Sequence, residues 1–167
     1  VSDCIDIVSG TFTQSGGVVN VKTHETGGGD GDDKFKMAAG TLNLTGGTMN
    51  LLGESTSSGK YSMSLDAGVT TTSTSGHTIS ISTNDASDDE DRYIDLGDAS
   101  NDIGNLIFDL SGHELYFKSN TDILGNLTAT NGDIDISSYT VNVVGNSSFP
   151  SDELLISTGT LEVDGSF

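Results

Sequence analysis

The chain has no tryptophan, one proline, one cysteine and only six lysine and arginine residues among 167. Each shortage excludes something. A single cysteine, Cys4, allows no disulfide within the chain. It reads as an unpaired thiol, or, in an oxidising exterior, as one half of a bond to a neighbouring subunit. Six cations against 25 Asp plus Glu leave a formal net charge of −19. That argues against nucleic acid, whose phosphates are bound by clustered Lys and Arg, and against anionic membrane surfaces. No apolar run approaches the length of a membrane span, and no signal peptide is seen. The start at Val1-Ser2-Asp3-Cys4 reads as a processed or trimmed product. Helical periodicity is missing as well: no long segment places apolar residues at i, i+3, i+4 and i+7 with good helix formers between them.

What remains is glycine, with 22 residues, and an abundance of Ser, Thr, Asn and Asp. These residue types suit turns and strands. The apolar residues are Val, Ile, Leu and Phe in regular alternation, which a disordered acidic chain need not show. Tyr61-Ser62-Met63-Ser64-Leu65, Leu106-Ile107-Phe108-Asp109-Leu110, Leu115-Tyr116-Phe117 and Val141-Asn142-Val143-Val144 each place every second side chain on one face. Roughly a dozen such short strands recur at about 8–12-residue spacing, as in sandwiches, barrels or solenoids.

Self-similarity refines this. Gly10-Thr11-Phe12-Thr13-Gln14-Ser15-Gly16-Gly17-Val18-Val19-Asn20-Val21 aligns without gaps, at an offset of 30 residues, on Gly40-Thr41-Leu42-Asn43-Leu44-Thr45-Gly46-Gly47-Thr48-Met49-Asn50-Leu51. Shorter echoes start at Gly76, Gly132 and Gly159. A period of this length favours an all-β β-solenoid, in one repeat-built domain over residues 1–167. A β-sandwich or jelly roll is the alternative. The acidic stretches Thr26 to Asp33 and Thr83 to Asp91 lack alternation and read as loops extruded from the stack.

The segments Gly10–Val21, Gly40–Leu51 and Gly125-Asn126-Leu127-Thr128 through Val141 to Asn146 resemble the glycine- and asparagine-rich repeats of bacterial β-helical secreted surface proteins. That group takes in haemagglutinin-like adhesins, autotransporter passengers and related extracellular filament subunits. The resemblance implies a right-handed, parallel β-helix-like solenoid, secretion to the cell surface or beyond, and a role in adhesion or extracellular scaffolding.

Calcium is the one cofactor the residues suggest. Asp30, Asp32 and Asp33 lie in a glycine-rich loop, and Asp88, Asp89 and Asp91 belong to a second cluster with Asp85 and Glu90; hard oxygen donors in flexible turns are what Ca²⁺ takes. Neither cluster has EF-hand or nonapeptide-repeat spacing. Two solvated acidic loops explain the same residues. The three histidines, His24, His77 and His113, are far apart with no metal-ligand spacing, and Gly-x-Ser-x-Gly does not occur. With no tryptophan for sugar stacking and few cations to steady a developing anion or bind an acidic polysaccharide, the chain reads as a non-enzyme. The sequons at Asn43, Asn126 and Asn146 are about as many as chance supplies. Thr-x-Thr pairs suggest an ice-binding ladder, but Thr41/Asn43 in the second repeat interrupts it.

Both termini are strand-like, Ile5-Asp6-Ile7-Val8 and Thr160-Leu161-Glu162-Val163, with no amphipathic cap helix. The reading that follows is a self-assembling structural subunit of an extracellular filament or surface layer, joined end to end or by strand addition. The alternative is an adhesin-type module that binds a cell-surface receptor or a glycan.

Overall fold

In the computed structural model, residues 5–23, 34–53, 60–83, 91–149 and 154–167 are described. They form fourteen strands. The first five are β1 (Ile5–Ile7), β2 (Gly10–Thr23), β3 (Phe35–Gly53), β4 (Lys60–Ser73) and β5 (His77–Ser82). There follow β6 (Arg92–Asp95), β7 (Asp102–Ile103), β8 (Asn105–Phe117), β9 (Thr121–Ile123) and β10 (Leu127–Asp135). The last four are β11 (Thr140–Val143), β12 (Ser147–Ser148), β13 (Leu154–Leu155) and β14 (Thr160–Val163).

Alternation does the local work. In β5, His77, Ile79 and Ile81 are buried while Thr78, Ser80 and Ser82 lie on the outer side. The same period of two buries Leu42, Leu44, Met49 and Leu51 in β3 and Leu106, Phe108, Leu110, Leu115 and Phe117 in β8. These side chains join in one core. Burying each large apolar side chain contributes about 1.5–3 kcal/mol before chain entropy is counted.

Among the described residues every strand pair is parallel. The repeat seen in the sequence is a hydrogen-bonding register: Gly10 lies opposite Gly40, Thr11 opposite Thr41 and Asn20 opposite Asn50. Further along, the offset shortens to 20 residues, with Thr140 opposite Thr160 and Val143 opposite Val163. The close approach of successive repeats explains two glycines. Gly40 has φ +115° and Gly47 φ +87°, and a Cβ on either would strike backbone atoms of Gly10 or of Gly16 and Gly17.

The open solenoid expected from the repeat, and the sandwich held as its alternative, are both corrected by the connectivity. Strand β3 pairs with β4 along its first half and with β5 along its second. Strand β8 pairs with β5 and then with β6, and β6 returns to β4. The ladder therefore closes, β3–β4–β6–β8–β5 and back to β3. With the two halves of β3 and of β8 counted separately, this is a closed seven-strand parallel β-barrel, to which further strands are added. The physical reason is that β3 and β8 are long enough to turn a corner and serve two neighbours. Register shifts mark the bends, as between Gln14 and Val18 on β2 where it faces β3. A second, separate sheet has the order β7–β9–β11–β14.

Candidate functional site

Five of the six proposed calcium ligands, Asp30, Asp32, Asp33, Asp88 and Asp89, fall outside the described residues, as do Cys4 and His24. So do the acidic loops expected to leave the stack, apart from their flanks. Asp91 immediately precedes β6, and its Oδ1 accepts the backbone N–H of Glu114 at 3.3 Å. Among the described residues no group of three or more His, Cys, Asp or Glu side chains is placed to hold a metal ion.

The two described histidines are separate. His77 opens β5 facing inward, with 0% of its surface exposed. Its Nε2 lies 3.1 Å from Oε1 of Gln14. Gln14 spends its amide N–H groups on the carbonyls of Thr48, at 2.9 Å, and Gly17, at 3.4 Å. Its oxygen is therefore the acceptor, and His77 carries its proton on Nε2. Nδ1 is buried without a hydrogen-bond partner. Burial lowers the His77 pKa to about 4, so the imidazole is neutral at ordinary pH. This is a packed polar pair inside the barrel.

On the second sheet, parallel register stacks Asp102, Asp122, Asn142 and Glu162 in one outward row. Asn142 Nδ2 donates to Asp122 Oδ1 at 2.7 Å. Asp122, Asn142 and Glu162, with Asp164, edge a shallow cleft of about 280 Å³. Burial, followed by the neighbouring Asp122 charge, pushes the Asp102 carboxyl upward, and bonds from Thr71 and Ser73 partly oppose it. The row was visible in the sequence as Asp-Ile-Leu-Gly-Asn from Asp122, Asn-Val-Val-Gly-Asn from Asn142 and Glu-Val-Asp-Gly-Ser from Glu162. Reading at a period of 20 rather than 30 finds it.

The threonine pairs are partly aligned. Thr11, Thr41 and Thr70 form one row and Thr13, Asn43 and Thr72 a second, three strands deep. Asn43 stands where a threonine ladder would need a hydroxyl, and its Nδ2 donates to Thr13 Oγ1 at 3.2 Å.

The remaining candidate is backbone. Among the described residues, strands β1 and β2 pair only with β3, β12 and β13 only with β10, and β14 only with β11. Strand β2 presents 14 residues along its unpaired edge. In a chain of net charge −19 this strand carries a single charged side chain, Lys22, and no proline. Val18 on it is 64% exposed. Natural edge strands are usually blunted by charge, proline, shortness or cover. The opposite end is short-stranded and also partly apolar: Phe167 is 76% exposed and its ring lies 5.4 Å from that of Phe149.

No helix among the described residues is long and apolar enough to cross a membrane. No protein-family model, curated protein or solved structure matches the chain.

Proposed function

We propose that the chain is a structural subunit of an extracellular filament or surface layer and that it assembles by strand addition at its open edges. The observation that carries this reading is β2: a 14-residue strand that, among the described residues, pairs with another strand on one side only, and that has one charge and no proline. Such an edge is a template for a further strand. The acidic, lysine-poor remainder supports a highly hydrated exterior that resists indiscriminate association.

The two ends differ in repeat length, 30 residues at β2 and 20 at β14. Contact between a β2 edge and a β14 edge pairs unlike perimeters. Contact of β2 with β2 about a two-fold axis pairs like with like, in antiparallel register, and is the first contact this reading expects. Sedimentation velocity over a concentration series, followed by negative-stain microscopy, tests it. Concentration-dependent association that Val18→Lys weakens supports the proposal; a monomer at every concentration overturns it.

A further inference from the structure

Successive repeats also build a groove on the outer surface, where the middle of β4 meets the segments that follow β6 and β8. Its volume is about 480 Å³, within the usual range of small-ligand sites of about 300–1,000 Å³. The floor includes Ala67, Gly97 and Ala99, small residues that leave room above the backbone. Gly97 must stay small, because a Cβ there would run into backbone atoms of Leu65 and Asp66. Polar groups of both kinds converge on this floor: the carboxylates of Asp66 and Asp95, the ammonium of Lys118 and the amide of Asn120, with Tyr139 at one end.

Several of these groups are held in place. Asp95 Oδ1 accepts the N–H of Gly97 at 2.9 Å, and Asn120 Oδ1 accepts the N–H of Thr140 at 2.9 Å, which leaves the Asn120 Nδ2 donors for a ligand. Lys118 Nζ lies 4.4 Å from the ring centre of Tyr93 and 4.8 Å from that of Tyr116, a cation–π clamp that keeps the ammonium beside the groove. Tyr93 in turn packs edge-to-face against Tyr61 and Tyr116, at 5.5 and 5.2 Å between centroids. A row of three half-buried aromatic rings therefore runs over the outer face beyond Lys118.

We infer that this groove binds a neutral oligosaccharide. The fixed Lys118 ammonium opposes a cationic ligand, and the Asp66 and Asp95 carboxylates oppose an anionic one. A neutral polyhydroxylated ring satisfies all of them: its hydroxyls donate to the two carboxylates and accept from Lys118 and Asn120, while its C–H face packs on Tyr139 and the small-residue floor. The aromatic row continuing from Lys118 favours a chain of sugars over a single ring. This site goes beyond the structural role and does not depend on it, since the groove lies on the wall of the molecule, apart from the β2 edge.

Saturation-transfer NMR on the full chain, with cellotriose, maltotriose, xylotriose and chitotriose as probes, tests it. Binding of at least one at millimolar affinity or better is expected, weakened about tenfold by Tyr139→Ala and by Asp66→Asn. Asp66 is exposed, so its substitution leaves the fold undisturbed and separates lost binding from lost structure. Absence of signal from all four probes overturns the inference. So does binding that both variants leave unchanged, or a preference for a sulfated oligosaccharide or a polyamine over the neutral probes. Failure of β2-mediated association leaves this result untouched, and the reverse holds as well.

Discussion

Nε2 of His77 meets Oε1 of Gln14 at 3.1 Å, across 63 residues of sequence and inside the barrel. The pair settles the tautomer of His77 and leaves its Nδ1 buried and unbonded. Burial lowers the histidine pKa from 6.5 to about 4, so the unfolded chain takes up this proton more readily than the folded one. The contribution to stability is complete above about pH 6.5 and is lost as pH falls towards 4. The full difference is about 3 kcal/mol. Chemical denaturation at pH 7 and pH 4 should show a larger acid loss for the native chain than for His77→Gln. Equal losses would show that His77 is not the group responsible.

Gly47 and Gly16 should respond unequally to alanine. Gly47 has φ +87°, and a Cβ there would sit 2.5 Å from the carbonyl oxygen of Gly17. Gly16 has open space around its Cβ position. Gly47→Ala is expected to cost about 2 kcal/mol or more, while Gly16→Ala stays within about 0.5 kcal/mol of the parent. Thermal melts of the two variants compare them directly.

Asn101 is 1% exposed and fully used. Its Nδ2 donates to the carbonyls of Val69 at 3.1 Å and Leu96 at 2.6 Å, and its Oδ1 accepts the N–H of Thr71 at 3.0 Å. Asn101→Ala strands these backbone groups, a cost of about 3 kcal/mol. Asn126→Ala should be milder, about 1 kcal/mol, because the bond it loses from the N–H of Asn146, at 2.8 Å, is exposed. A larger loss at position 126 than at 101 in urea titrations would reverse this ranking.

Asp102 should tolerate neutralisation. Burial raises its pKa and the Asp122 charge adds to the shift, while the bond from Thr71 Oγ1 at 3.1 Å works the other way. An acid whose folded pKa is raised favours its protonated form in the folded state, so this residue stabilises more as pH falls through its folded pKa. Asp102→Asn keeps an acceptor for Thr71 and removes the repulsion. Its melting temperature at pH 7 should exceed that of the parent, by a margin that shrinks in high salt. A lower melting temperature would overturn this account.

The all-β character was legible because a period of two shows locally, in segments as short as His77–Ser82. The partnership of β2 and β3 was legible too, since the gapless alignment of Gly10–Val21 on Gly40–Leu51 reappears as paired residues. The 20-residue register through Asp102, Asp122, Asn142 and Glu162 was present in the sequence but hidden behind the stronger 30-residue echo. Of the proposed ligand residues, only Asp91 falls among those described, and it meets a backbone N–H.

Local alternation and repetition thus state which face of each strand is buried and which strands resemble one another. They say nothing of whether a strand bends to take two partners, because bending depends on the length and packing of the whole wall. Closure of the ring through β3 and β8 was decided there. So were the meeting of His77 with Gln14 and the convergence of Asp66, Asp95, Lys118 and Tyr139 on one groove. Each joins residues from different repeats, and only the three-dimensional register sets their distance.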